Sequence, residues 1–133
     1  MGGSSLAPEV ISKIFHKELT VIDTTDPEQI SLALKTDLSK TLVIVGSKSG
    51  STIETAAQLE LFKSEFEMAG LDSSEQILII TDPGSPLDVS ARAAGIRVLN
   101  ADPNVGGRFS ALSAFGLAPA ALIGVDVSVL LDD

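Results

Sequence analysis

Four short runs of apolar, largely β-branched residues are spaced along the chain by amphipathic stretches, and this alternation restricts the fold more than any other feature. The runs are Leu19–Asp23 (LTVID), Thr41–Gly46 (TLVIVG), Gln76–Thr81 (QILIIT) and Ile96–Leu99 (IRVL). Each is continuous rather than alternating, the mark of strands buried on both faces of a parallel sheet. Between and around them, Leu6–Lys17, Pro27–Asp37, Thr52–Ala69, Pro86–Ala94 and Phe109–Ile123 read as helices. In the third, Ile53, Ala56, Ala57, Leu59, Phe62, Phe66 and Ala69 keep a helical period. Gly70 is placed to end that helix, and Asp26 with Pro27 to open the one before it. Strand and helix in this order predict βαβ units. The expected fold is a three-layer α/β sandwich with a mostly parallel sheet of about four or five strands.

Composition narrows the function. The 133 residues carry a net charge of −9, which argues against a nucleic-acid partner or an anionic membrane surface. A small anion is still admissible, because backbone N–H groups can hold a phosphate whatever the overall charge. With no Cys and one His, there is no disulfide frame, thiol nucleophile, Cys-based zinc site or His-rich metal site. No apolar run approaches 18 residues and no basic leader opens the chain, so a cytoplasmic protein is expected. Without a linker or repeat, residues 1–133 read as one domain. Gly2-Gly3-Ser4-Ser5 resembles a strand-to-helix turn with Ser4 or Ser5 as N-cap, yet no strand precedes it. Either the domain is part of a longer chain whose first strand lies upstream, or these residues are an expression artefact.

Chemistry concentrates at the carboxyl end of the TLVIVG run. Ser47-Lys48-Ser49-Gly50-Ser51-Thr52 places four hydroxyls, a lysine and a glycine on a strand-to-helix turn. Free N–H groups of the following helix point into such a turn, hydroxyls donate to phosphate oxygens, and glycine lets the backbone curl around an anion. The alternative is an elaborate helix cap over Thr52–Thr55. The Walker pattern and G-x-G-x-x-G are both absent, which disfavours nucleotide and dinucleotide. The Gly2–Ser5 turn would lie beside this one, in the crevice outside adjacent strand ends. A third candidate is Val105-Gly106-Gly107-Arg108. An arginine at a helix start opposes the dipole, so Arg108 either faces an anion or pairs with an acid such as Asp102. His16 reads as a surface or C-terminal-turn residue, and Thr81–Pro86 as a plain turn into a helix.

Taken together, GGSSLAPEV, SKSGSTIET, ITDPGSPLD and NVGGRFSALSAFGL resemble, in order and over the whole chain, the first sugar-isomerase (SIS) domain of the glucose-6-phosphate isomerase family. The closing GLAPAALIGVDVSVLLD is similar to the isomerase half of bifunctional transaldolase/glucose-6-phosphate isomerases. The resemblance implies a flavodoxin-like sheet whose first strand is missing here. It implies sugar-phosphate binding by Ser47, Ser49 and Thr52, with Lys48, Gly50 and Ser51 lining the turn and Ser4 and Ser5 contributing beside it. Arg108, with Gly107 before it, would stabilise the enediolate formed as a proton moves between C1 and C2 of glucose 6-phosphate and fructose 6-phosphate. No metal or organic cofactor is implied. The carboxylate base, histidine and lysine of the family lie beyond Asp133, so a second SIS domain of the same protein is the implied partner, with a homodimer a weaker implication. The piece alone is expected to bind without turning over. A non-catalytic phosphosugar-sensing module is the alternative.

Overall fold

The structure, a computed structural model, describes residues 3–132. Three apolar runs pair as parallel strands: β1 (Val43–Gly46), β2 (Ile77–Thr81) and β3 (Arg97–Asn100), in the order β1-β2-β3. Val43 lies opposite Ile77, and Leu78 opposite Arg97. The two-residue period of a strand then divides the core. Val45, Ile77 and Ile79 point to one face, against Leu59, Phe62 and Phe66 of α3 (Ile53–Met68), which the short α4 (Ser73–Gln76) joins to β2, and against Leu87 and Ala91 of α5 (Pro86–Ala93). On the opposite face, Ile80 and Ile44 meet Phe115 and Ala118 of α6 (Ala114–Leu122). A satellite cluster joins Ile11 of α1 (Gly3–Ile14) to Ala120 of α6, with Val127 and Leu130 of α7 (Val127–Asp132) packed on it. The result is the expected three-layer arrangement, with helices on both faces of a parallel sheet.

Local chemistry accounts for most boundaries. Asp26 caps α2 (Pro27–Leu34) by accepting from the Glu28 amide at 3.0 Å, with Pro27 in the first turn. Gly70, at φ +74°, ends α3: its amide donates to the Glu67 carbonyl and that of Leu71 to the Phe66 carbonyl. The same pair of bonds ends α1, with His16 at φ 52° in the left-handed position, so this histidine is indeed a C-terminal-turn residue.

Other boundaries differ from the sequence expectation. Residues Leu19–Asp23 form no strand, because a strand needs a neighbouring strand to share its ladder and none among the described residues pairs with this segment. The sheet therefore has three strands among the described residues rather than four or five. A cavity of about 610 Å³ lies here instead, between residues 18–22 and 41–46, with Leu59 and Phe62 among its walls. Ser4 and Ser5 sit in the first turn of α1 rather than capping it, because the helix already includes Gly3. Gly2 of that proposed turn lies outside the described residues. Helix α2 stops at Leu34, and Asp37 caps a separate 3₁₀ turn, Leu38–Lys40. The last predicted helix is two pieces: a 3₁₀ helix, Gly107–Leu112, and α6, divided at Ser113, whose hydroxyl accepts from the Phe115 amide at 3.3 Å.

Candidate functional site at the strand carboxyl ends

The turn after β1 is built from the inside outward. Ser47 continues the ladder by one step, its amide donating to the Ile80 carbonyl at 3.0 Å. Its hydroxyl is buried and accepts from the Gly50 amide at 3.2 Å, which curls the chain back on itself. Gly50 has φ +64°, and a Cβ there would stand 2.6 Å from Ser85 Oγ and 2.9 Å from Leu87 Cβ. The turn is thus seated against the start of α5. Ser49 and Ser51 are exposed; the Ser51 amide and hydroxyl donate to Ser49 Oγ at 3.3 and 3.1 Å.

Thr52 occupies the N-cap position of α3, yet its side chain makes no capping bond. The contrast with Asp26, Ser85 and Ser113 is direct, since each of those side chains caps its helix. The first intrahelical bond of α3 is from the Ala56 amide to the Thr52 carbonyl at 3.0 Å. The amides of Ile53, Glu54 and Thr55 consequently have no protein acceptor among the described residues, at the positive end of a sixteen-residue helix. Of the two sequence readings of this turn, the cap would need a bond to the Thr52 side chain that is absent here.

Lys48 contributes its backbone to the turn and sends its side chain elsewhere. Its ammonium donates to Asp82 Oδ2 at 2.7 Å and to the Pro103 carbonyl at 3.3 Å. Ser4 approaches the site from the other side: its Cβ would lie 3.8 Å from a Cβ built on Gly46. Ser4, Ser5 and Gly46 also line the cavity beside β1, which includes none of Ser47–Thr52. The Ser5 hydroxyl donates to Asp23 Oδ2 at 2.7 Å.

Arg108 lies on the segment that follows β3. This segment crosses the strand ends: Pro103 reaches Lys48, and further on the Phe115 ring stands against Gly46. Arg108, between them in sequence, is exposed and makes no ion pair among the described residues. Asp102 is not among its partners; one oxygen of that carboxylate, Oδ1, accepts from the Asn104 amide and side chain at 2.9 and 3.0 Å. A Cβ at Gly107 would meet nothing within 4 Å, so packing inside this chain sets no demand for glycine there.

Three residues given no role in the sequence reading matter to the site. Ser85 forms, with Leu87, the wall against which Gly50 closes, and Thr81 backs it, the Thr81 and Ser85 hydroxyls standing 2.8 Å apart. Asp82 holds Lys48. The Ser85-Pro86 pair could have been read as a cap and first helical residue, but nothing local in TDPGSP marks Asp82 as the partner of a lysine in another turn.

The turn, with its three helix amides unpartnered among the described residues, stands at the carboxyl end of β1, the crevice position of an α/β sheet. Comparison with known proteins gives the family. A profile of the phosphoglucose isomerase family matches residues 1–132. The probable glucose-6-phosphate isomerase of Haloarcula marismortui is 36% identical over 98% of this chain and 31% of its own length. The glucose-6-phosphate isomerase of Thermus thermophilus is 39% identical over 98% of this chain and 33% of its own. Among solved structures, a hypothetical protein from Thermus thermophilus superposes with a TM-score of 0.92 at 39% identity, covering 98% of this chain and 33% of that one. A glucose-6-phosphate isomerase from Chlamydia trachomatis superposes at 0.76 and 33% identity, covering 90% and 24%. The chain belongs to the phosphoglucose isomerase family. It spans about a third of the length of these curated relatives.

Proposed function

We propose that this chain is the sugar-phosphate-binding domain of a glucose-6-phosphate isomerase, a SIS-type module that works with further parts of a longer protein. The observation that carries the reading is the uncapped start of α3. Three amides and the hydroxyls of Ser49, Ser51 and Thr52 surround one end of a positive dipole, while the Ser47 hydroxyl and Gly50 shape the turn around it. A phosphate held there anchors the sugar, so that binding energy is spent on placing C1 and C2. Arg108, exposed on the segment that crosses the same strand ends, offers a positive fork where the enediolate charge develops. Ser4 borders the cradle through α1, and Ser5 braces α1 on Asp23.

The proton moved between C1 and C2 needs a base, and the opening of the sugar ring needs an acid. Neither role is assigned to a residue of this chain. Glu54 sits at the start of α3, where its negative charge favours the dipole. A second SIS domain is the proposed source of those groups, with a homodimer as the proposed assembly. A place in glycolysis and gluconeogenesis in the cytoplasm follows from the substrate, and fusion to a transaldolase fits the closing GLAPAALIGVDVSVLLD.

Calorimetric titration of the chain with fructose 6-phosphate tests the reading. Binding is expected, and Ser49→Ala/Thr52→Ala should weaken it by about tenfold or more, since hydrogen bonds to a charged group are involved. Equal affinity in the double variant would overturn the cradle assignment. No isomerase turnover is expected from the chain alone; turnover that survives Arg108→Ala would overturn the role given to that arginine.

A further inference from the structure

Lys48 links the chain segments that leave all three strands. Its own backbone follows β1, and its carbonyl accepts from the Asp82 amide at 3.3 Å and from Thr81 Oγ1 at 3.4 Å, both at the end of β2. Its ammonium continues across to Asp82 Oδ2 and then to the carbonyl of Pro103, beyond β3. The pair is only partly accessible, with Lys48 28% and Asp82 19% exposed. Asp82 Oδ1 is buried and has no hydrogen-bond partner among the described residues, so the carboxylate is compensated through Lys48. Withdrawing the ammonium toward a phosphate would leave that carboxylate uncompensated. An ammonium has three N–H donors, and two are already committed.

We infer that Asp82 is a positioning residue for the sugar end of the ligand: by holding the Lys48 ammonium it fixes the Pro103 carbonyl, and with it the segment leading to Arg108, against the phosphate turn. This inference rests on the function proposed above. The segment between is short and turned, with the Val105 amide bonded to the Asp102 carbonyl at 3.2 Å and the Phe109 amide to that of Gly106 at 2.9 Å. A shift at Pro103 therefore carries into Gly106–Arg108. The cradle does not depend on this link, because its donors, the first amides of α3 and the hydroxyls of Ser49, Ser51 and Thr52, make no bond to the Lys48 or Asp82 side chain.

The distinction is measurable with two ligands. Inorganic phosphate reports on the cradle alone, whereas 6-phosphogluconate also carries a carboxylate at the end that Arg108 would meet. Calorimetry on the folded chain should show Asp82→Asn weakening 6-phosphogluconate by about tenfold and inorganic phosphate by less than about twofold. In an Arg108→Ala background the same substitution should cost nothing further, because the arginine it positions is already gone. Lys48→Met/Asp82→Leu, which removes the pair without stranding a charge, should reproduce the loss and stands in if Asp82→Asn melts early. Equal weakening of both ligands, or a loss that persists without Arg108, would overturn the positioning role and leave the cradle intact. A wild-type chain that binds neither ligand would overturn the cradle reading, and the inference with it.

Discussion

At Gly50 two independent constraints act on the same absent atom. A positive φ disfavours any L side chain, and the space a Cβ would need is already taken by Ser85 and Leu87. Neither neighbour yields easily, since Ser85 caps α5 and Leu87 is in the core. Gly50→Ala is therefore expected to lower stability by about 3 kcal/mol, combining left-handed strain with overpacking. Urea unfolding measures it; a loss below about 0.5 kcal/mol would show that the turn relaxes around the methyl. The turn was legible in the sequence because its signal is local: hydroxyls and a glycine crowded at the end of an apolar run. Arg108 stood out for a similar reason, being a cation placed where a helix would not want one, and among the described residues it makes no ion pair with Asp102. The Lys48–Asp82 pair was not legible. Its members are 34 positions apart, and they meet only because parallel register brings the ends of β1 and β2 side by side.

Elements were read well wherever their ends are set by neighbouring residues. Asp26-Pro27 and Gly70 mark their boundaries with side chains and backbone that act within one turn. The division of the last helix at Ser113 escaped, since an apolar stretch such as FSALSAFGLAPA keeps helical spacing across the break. Helix α5 shows how such an end responds to pH. Ser85 caps it by accepting from the Asp88 amide at 3.1 Å, while Asp88 folds back to accept from the Gly84 amide at 2.8 Å and from Arg92 Nε at 2.7 Å. The Gly84 amide first, and then Arg92, hold the Asp88 carboxyl below the usual carboxylate range. A carboxyl with a depressed folded pKa binds its proton more readily in the unfolded chain. Its contribution is thus complete above the unfolded pKa of about 4 and is lost as pH falls through the lower folded value. Unfolding midpoints taken between pH 6 and pH 2 should fall below about pH 4, and Asp88→Asn should flatten that part of the curve. An unchanged slope in the variant would assign the acid sensitivity to other carboxylates, such as Asp72 and Asp126, whose pKa values are lowered mainly by side-chain hydrogen bonds from Ser74 and Ser128.

Across the molecule, two runs of nearly equal apolar character met different fates. TLVIVG became β1, and LTVID became a segment outside the sheet, facing β1 across a cavity of about 610 Å³. Composition cannot separate them, because a strand is a property of a pair. β1 found β2, whereas Leu19–Asp23 joins no sheet among the described residues. The sheet is consequently strongest at its centre. β2 is paired on both sides, with Ile77, Ile79 and Thr81 fully buried, while β1 pairs on one side only. Amides of β1 that point away from β2 have no ladder partner among the described residues and face the cavity. Opening there requires no rupture of the central strand, so hydrogen exchange should separate the two. A peptide covering residues 41–47 is expected to exchange about a hundredfold faster than one covering 77–81, with the latter exchanging only through global unfolding. Equal protection would mean that β1's outer edge is covered in solution, by the Leu19–Asp23 segment closing on it or by another chain. Dilution separates these outcomes: closure within the chain keeps its protection at any concentration, whereas a partner chain loses it as the protein is diluted.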